Sequence, residues 1–476
     1  MRHPGFIGMA ACALLAGCAA STASMRPERA EPVLLLRDGV PAEAAHGIWR
    51  SRGYGMVLSV SKDGVRLHHE TSVGCYPGGS GEDTLLESLV YFTPGASADE
   101  LVFVSEPGET QYRFKRLKSL PYACTRTPSW AAPSLFEYFA ATFADQYAFF
   151  PERGVDWSAR VAALRPRVLP GMDDRALRTL FGIFTEALKG LEDAHTGLQA
   201  GFEGGETLEF SEGQPLTARR VVAEGAKQGA SARDAQRAWL ASYRDGILQT
   251  LLKGAGHHVA NNRIFHGRIG DIGYLNVVTM GGFSEGEPSL AEELRVLNAA
   301  LDEALTSFQG ARTVIVDVSN NRGGHDAVGR AIAARFTDSR RLAYTKRPHN
   351  ADVPPQPFHV EPSPGPRFTG PVYLVTSDVT VSAAEVFTLC MRALPHVTHV
   401  GTATRGALSD VLVKPLPNGW RMALSNEIYL DPQGTLFEVR GIPPQQPLDV
   451  FPENDLQAGH ARAVLSLVEL ARQRAR

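Results

Sequence analysis

Between residues 33 and 128 the apolar positions come in short runs: Gly55-Met56-Val57-Leu58-Ser59-Val60, Leu89-Val90-Tyr91-Phe92 and Leu101-Val102-Phe103-Val104. Lys62-Asp63-Gly64, Pro94-Gly95 and Pro107-Gly108 punctuate them. Alternating β-branched and aromatic runs between turn-forming residues predict strands, so 33–130 reads as a small antiparallel β domain, with Trp49, Tyr54 and Tyr112 as core or rim aromatics. The period then changes. Leu135, Tyr138, Phe139 and Phe143, followed by Leu177, Leu180, Ile183, Phe184, Leu188 and Leu191, recur at helical spacing and predict a helical subdomain over 131–200. Residues 203–216 are rich in Gly and Glu and read as loop, and 218–252 as a charged helical stretch. Together 201–262 form a linker or helical insertion that either covers a site or joins domains. Beyond Arg268 strands and helices alternate. Ile272-Gly273-Tyr274-Leu275-Asn276-Val277 is a strand, 289–308 a long amphipathic helix, and Thr313-Val314-Ile315-Val316-Asp317-Val318 an apolar strand of the kind buried between helix layers. Residues 326–336 are helical, and 371–375 and 397–400 supply further strands. Parallel crossovers with helices on the sheet faces satisfy this order, giving an α/β core over 263–476 in an α/β (α+β multidomain) chain. Residues 348–371, with eight prolines, read as a surface excursion.

Composition narrows the function. The chain has 476 residues, 43% hydrophobic and 21% charged, as expected of an ordinary globular protein of several domains. A net charge of -3 and the lack of any Lys/Arg run of five argue against nucleic acid as a partner. At the N-terminus Arg2 and His3 precede the apolar run from Phe6 to Leu15, too short for a spanning helix and shaped like a signal peptide. Its end, Leu15-Ala16-Gly17-Cys18, resembles the lipobox of bacterial lipoproteins. That reading makes 1–18 the signal, Cys18 the lipidated first residue and 19–32 a tether. The protein would then sit on the bacterial cell envelope, at the outer membrane facing the periplasm, with the lipid as its membrane contact. The other reading is cleavage near Ala19-Ala20-Ser21, which also means export. Of the five cysteines, Cys12 would leave with the signal, Cys75 and Cys124 could pair in an oxidising compartment, and Cys390 reads as a buried thiol. His68-His69-Glu70 looks metal-like, but adjacent strand residues face opposite ways, and no metal is expected.

The candidate chemistry begins at Val372-Tyr373-Leu374-Val375, a strand, and Ala383-Ala384-Glu385-Val386-Phe387, a helix start. Ser382 stands where the connection enters the helix, whose first N–H groups lack intrahelical partners and whose dipole is positive, so an oxyanion beside it would be stabilised. The same letters, Ser382-Ala383-Ala384-Glu385, are also a capping box with no chemistry. Asp317-Val318-Ser319-Asn320-Asn321-Arg322-Gly323-Gly324 ends a buried strand in a Gly-Gly turn that lets bare N–H groups approach a ligand, or is a plain tight turn. His195 follows a helix in the polar tip Leu191-Glu192-Asp193-Ala194-His195-Thr196-Gly197. Glu438, in Phe437-Glu438-Val439-Arg440-Gly441-Ile442-Pro443-Pro444, could orient an imidazole or be a solvated strand residue. Singly, each of these, like Asn320 and Arg322, is a weak signal.

As an ordered set they resemble the C-terminal processing and tricorn-like family of serine peptidases. That family shares N-N-x-G-G (Asn320 to Gly324), S-A-x-E (Ser382 to Glu385), G-x-x-T-x-G (Gly401-Thr402-Ala403-Thr404-Arg405-Gly406), E-x-x-G-x-x-P (Glu438 to Pro444) and, upstream, L-x-D-x-H-S/T (Leu191 to Thr196). The resemblance implies a crotonase-like catalytic core and hydrolysis of peptide or protein substrates through an acyl-enzyme, with no cofactor. Ser382 would be the nucleophile, His195 the general base and Glu438 its orienting partner. The oxyanion hole would be the N–H of Ala383 and that of Gly323 or Gly324. Processing-protease members place a base lysine after T-x-G, where this chain has Ala407, so the His-Glu branch is the one that fits. Ala194 stands where the tricorn enzyme has a serine before its histidine. Lys414, seven residues beyond Ala407, is the competing base. Nothing between His195 and Arg268 resembles a PDZ module. The alternatives are a non-catalytic ligand-binding protein, as some family members are, or an envelope adaptor on the same scaffold. No oligomeric state is specified.

Overall fold

A computed structural model describes residues 31–78 and 88–474; the expected signal segment 1–18, with Cys18, and most of the expected tether 19–32 lie outside the described residues. The N-terminal part is one antiparallel sheet of eight strands, in the order Val33–Leu34, Tyr91–Pro94, Glu100–Val104, Tyr112–Leu117, Gly47–Ser51, Met56–Ser61, Gly64–Thr71, Gly74–Pro77. Alternation sorts its faces. Met56, Leu58 and Val60 join Trp49, Phe103 and Phe114 in the main core, whereas Val57 faces the other way into a small cluster with Cys75 and Cys124. Those cysteines form a disulfide with a Cα–Cα separation of 4.7 Å.

Three helices follow, Ala132–Gln146, Trp157–Leu164 and Asp174–Leu188. Asp156 and Asp173 cap the second and third by accepting from the N–H of Ala159 and Ala176, as short polar residues do at helix starts. Phe139 and Phe184 stack at 3.9 Å between ring centroids. These helices share one continuous core with the β domain and with Leu412, Met422 and Leu424 from near the C-terminal end.

Two expectations are corrected here. The stretch 203–216 is not all loop: Thr207–Ser211 is a strand paired antiparallel with Gly197–Gly201, in a sheet completed by Arg421–Ser425 and Val411–Pro415. Leu208 and Phe210 alternate with polar neighbours there, and the strand is only half-buried, so its Glu-rich composition hides the period. The proline-rich excursion likewise contains the strand Gln356–Val360. It pairs with Arg341–Pro348, which also pairs with Glu427–Leu430, and it buries Phe358 and Val360.

The core sheet runs His257–Val259, Ile264–Ile269, Ile272–Val277, Thr313–Asp317, Val372–Thr376, Val397–Gly401, Gln446–Pro447, parallel from Ile272–Val277 onward. Val314 and Val316 face a layer built by Leu290–Ser307, Asp326–Ala333 and Ala383–Arg392. Ile315 faces the opposite layer with Trp239, Tyr243, Val464 and Leu467. Ala232–Asp245 and the C-terminal helix Gly459–Arg474 supply those residues, so the insertion covers one face of the core sheet. Among the described residues no helix is long and apolar enough to cross a membrane.

Candidate active site

The parallel strands Thr313–Asp317 and Val372–Thr376 lie side by side, so the segments leaving their C-terminal ends, 318–324 and 377–382, emerge together. Hydrogen bonds zip them. Thr380 Oγ1 donates to the Val318 carbonyl at 2.8 Å, Ser377 Oγ to the Ser319 carbonyl at 2.5 Å, and the Val381 N–H to the Asn321 carbonyl at 3.2 Å.

Ser382 closes the second segment with φ 62° and ψ −131°. A helix cap ordinarily sits in the β region. A non-glycine residue at positive φ costs on the order of 1–3 kcal/mol, and a strained strand-to-helix turn is what raises a nucleophile clear of its sheet. The capping box is also present: Ser382 N–H donates to the Glu385 carboxylate at 3.3 Å, and to the Ala407 carbonyl at 3.1 Å. The serine is therefore both a cap and a strained turn residue.

Gly323, at φ 86°, packs against it. A Cβ there would lie 2.6 Å from Ser382 Cβ and 3.1 Å from its Oγ. Gly323→Ala is therefore expected to displace the hydroxyl and lower kcat/KM by about 100-fold, since a 1 Å misplacement costs that much. Steady-state kinetics beside a thermal melt separates this from unfolding. The two glycines also differ as donors. Gly323 N–H donates to Asn321 Oδ1 at 2.9 Å, while the N–H groups of Gly324 and Ala383 have no acceptor among the described residues.

The loop 404–409 gathers the remaining groups. Glu385 is wholly buried and accepts from Thr404 Oγ1 (2.6 Å) and the N–H groups of Gly406 (2.7 Å) and Ala407 (2.8 Å). Burial pushes its carboxyl up to about 7, against the pull of those bonds. Glu438 is buried rather than a solvated strand residue: its Oε2 accepts from the N–H groups of Leu408 (2.8 Å) and Ser409 (3.1 Å), and its Oε1 has no partner. Burial, then the charges of Asp193 and Glu385, raise it well above the carboxylate range.

His195 sits on a buried carboxylate to which the sequence assigned no role. The His195 backbone N–H donates to Asp193 Oδ1 at 2.9 Å, and Asp193 Oδ2 takes the Tyr147 hydroxyl at 2.8 Å with Arg153 at 3.6 Å. Burial lowers the imidazole pKa from 6.5, opposed by Asp193, Asp410 and the Ser409 backbone. Its Nδ1 is buried without a partner. Gly213 packs against the backbone of Asp193 and Ala194, and its carbonyl accepts from Arg405 Nε at 2.6 Å.

Ser382, Glu438 and His195 thus meet around 406–409, through Ala407, the Leu408 and Ser409 N–H groups, and the Ser409 backbone respectively. No hydrogen bond joins the three side chains to one another among the described residues. Asn320 is buried with both side-chain polar atoms unpartnered, and Arg322 is exposed. Lys414 is elsewhere: its Nζ donates to the carbonyls of Tyr54 (2.5 Å) and Gly55 (2.8 Å) in the β domain. Among the described residues no group of three or more His, Cys, Asp or Glu is disposed to hold a metal ion.

Residues 271–448 match the model of peptidase family S41. A candidate peptidase from Parabacteroides merdae is 25% identical with a TM-score of 0.55, over 72% of this chain and 97% of that one. Mature CPAF in complex with lactacystin is 13% identical with a TM-score of 0.48, over 72% of this chain and 98% of that one. No curated protein matches the sequence.

Proposed function

We propose that this chain, whose residues 271–448 match the model of peptidase family S41, is a serine peptidase that cleaves peptide bonds with Ser382, His195 and Glu438. The observation that carries the proposal is the strained Ser382 turn, packed on Gly323 and flanked by the free N–H groups of Ala383 and Gly324. Ser382 Oγ attacks the scissile carbonyl and passes its proton to His195. The oxyanion is held by Ala383 and Gly324, because the Gly323 N–H is engaged by Asn321. His195 then protonates the leaving amine, and the acyl-enzyme is released by a water that His195 deprotonates. Glu438 Oε1 and His195 Nδ1, both buried and unpartnered, are a matched acceptor and donor. Their pairing would fix the ring, and such bonds commonly tighten only with substrate bound. Asp193 offsets the imidazolium as it forms, and that positive ring favours the charged form of Glu438 against the burial that raises its carboxyl.

The test is labelling by a fluorophosphonate probe. Wild type should be labelled and Ser382→Ala should not. An unlabelled wild type would instead favour the ligand-binding or adaptor reading. The proposal extends to location, with export and anchoring through Cys18. Fractionation of Cys18→Ser should move the protein from the membrane to the soluble fraction, and a variant that stays membrane-bound would refute the anchor.

A further inference from the structure

The Asp317 carboxylate, at the end of the strand Thr313–Asp317, has no role in the reaction above and is wholly buried. Oδ2 accepts from the Tyr274 hydroxyl at 2.6 Å and faces His460 Nε2 at 2.7 Å; Oδ1 accepts from Ser319 N–H at 2.9 Å. His460 belongs to the first turn of the C-terminal helix. Its ring lies 4.4 Å from that of Tyr243 and 5.9 Å from that of Phe451, centroid to centroid. Burial alone would raise the Asp317 carboxyl, but His460, Tyr274 and Ser319 hold it below its ordinary range. An ionised carboxylate at such a depth stays put only while its donors do.

What Asp317 anchors is the oxyanion segment. Its Oδ1 turns the chain at Ser319. The carbonyls of Val318 and Ser319 then receive Thr380 and Ser377 from the segment that ends in Ser382. Both segments of the site are therefore indexed to one carboxylate, and the C-terminal helix supplies its imidazole donor.

We infer that His460 is a positioning residue for the Ser382 reaction: through Asp317 it fixes 318–324, and with it the Gly324 N–H, against the nucleophile. The inference rests on the proposed peptidase reading.

The experiment compares His460→Phe, which keeps a ring between Tyr243 and Phe451 but removes the donor, with His460→Gln, which restores an N–H. Both are measured beside wild type and Ser382→Ala. Loss of aim in an oxyanion donor costs on the order of 10–100-fold in kcat, so His460→Phe should lose that much with KM within about threefold, and His460→Gln should recover most of it. A peptide aldehyde, whose adduct uses the same N–H groups, should weaken in step with kcat/KM, and amide exchange should quicken over 318–325. A lower melting temperature with unchanged kcat and aldehyde affinity would overturn the inference and leave the peptidase reading intact. Wild type without Ser382-dependent hydrolysis would overturn both. If His460→Phe does not fold, Asp317→Asn decides, because unchanged kcat, aldehyde affinity and exchange over 318–325 in that variant refute the role.

Discussion

His195→Ala lowers kcat/KM on a peptide substrate by about 10⁴-fold, nearly as much as Ser382→Ala, because a nucleophile and its base act as one unit and their losses do not add. Glu438→Gln costs less, about 10–100-fold, since the amide still accepts a hydrogen bond but carries no charge to offset the imidazolium. The pH profile supplies the sign. The base must be neutral to take the serine proton, and burial disfavours the charged ring, lowering its pKa from 6.5. Wild-type activity therefore rises with pH through an inflection below 6.5 and is level at neutral pH. Lys414→Met should keep that inflection, because the Lys414 ammonium is held by carbonyls of the β domain. Near-wild-type hydrolysis in His195→Ala, or an inflection in the alkaline range that vanishes with Lys414, would refute the histidine base.

The Cys75→Ala/Cys124→Ala double variant unfolds with about 4 kcal/mol less stability, the loop-entropy value for a crosslink between residues separated by 49 positions. The expected loss is large because little else holds that face. Among the described residues its buried cluster is Val57 with the two half-cystines, supported by the partly buried Ile48, Leu117 and Leu120. Urea unfolding of the double variant beside wild type, with and without reductant, measures it. A difference under about 1 kcal/mol would show that the unfolded chain gains little freedom from losing the crosslink.

Strong periods made most of this architecture legible in the sequence. The apolar run Thr313–Asp317 predicts a strand covered on both sides, and Ile315 and Val316 indeed face different layers. Thr207–Ser211 and Gln356–Val360 were hidden because each has few apolar residues and gains its strand character from a partner it finds in space. In the site, Ser382 and Glu438 stand out by motif, but their surroundings do not. That Gly323 spends its N–H on Asn321 while Gly324 keeps its own free depends on backbone angles that two identical letters cannot distinguish. Asp193, two residues before His195, was in plain view. Its place beneath the His195 backbone, where Tyr147 and Arg153 converge on it, depends on contacts distant in sequence. Lys414 sits in a run with strand periodicity, and periodicity does not say which domain the far face meets.

The single core that joins the β domain to Leu412, Met422 and Leu424 also dictates an order of events at birth. Lys414 finds the Tyr54 carbonyl across 360 positions of chain, so the N-terminal sheet is synthesised long before the strands that complete its interior. Chains dominated by such distant pairings fold slowly and show unpaired apolar surface meanwhile. The interior of the newborn β domain therefore stays incomplete until the last sixth of the chain has emerged, and removing that last sixth would take Leu412, Met422 and Leu424 out of it.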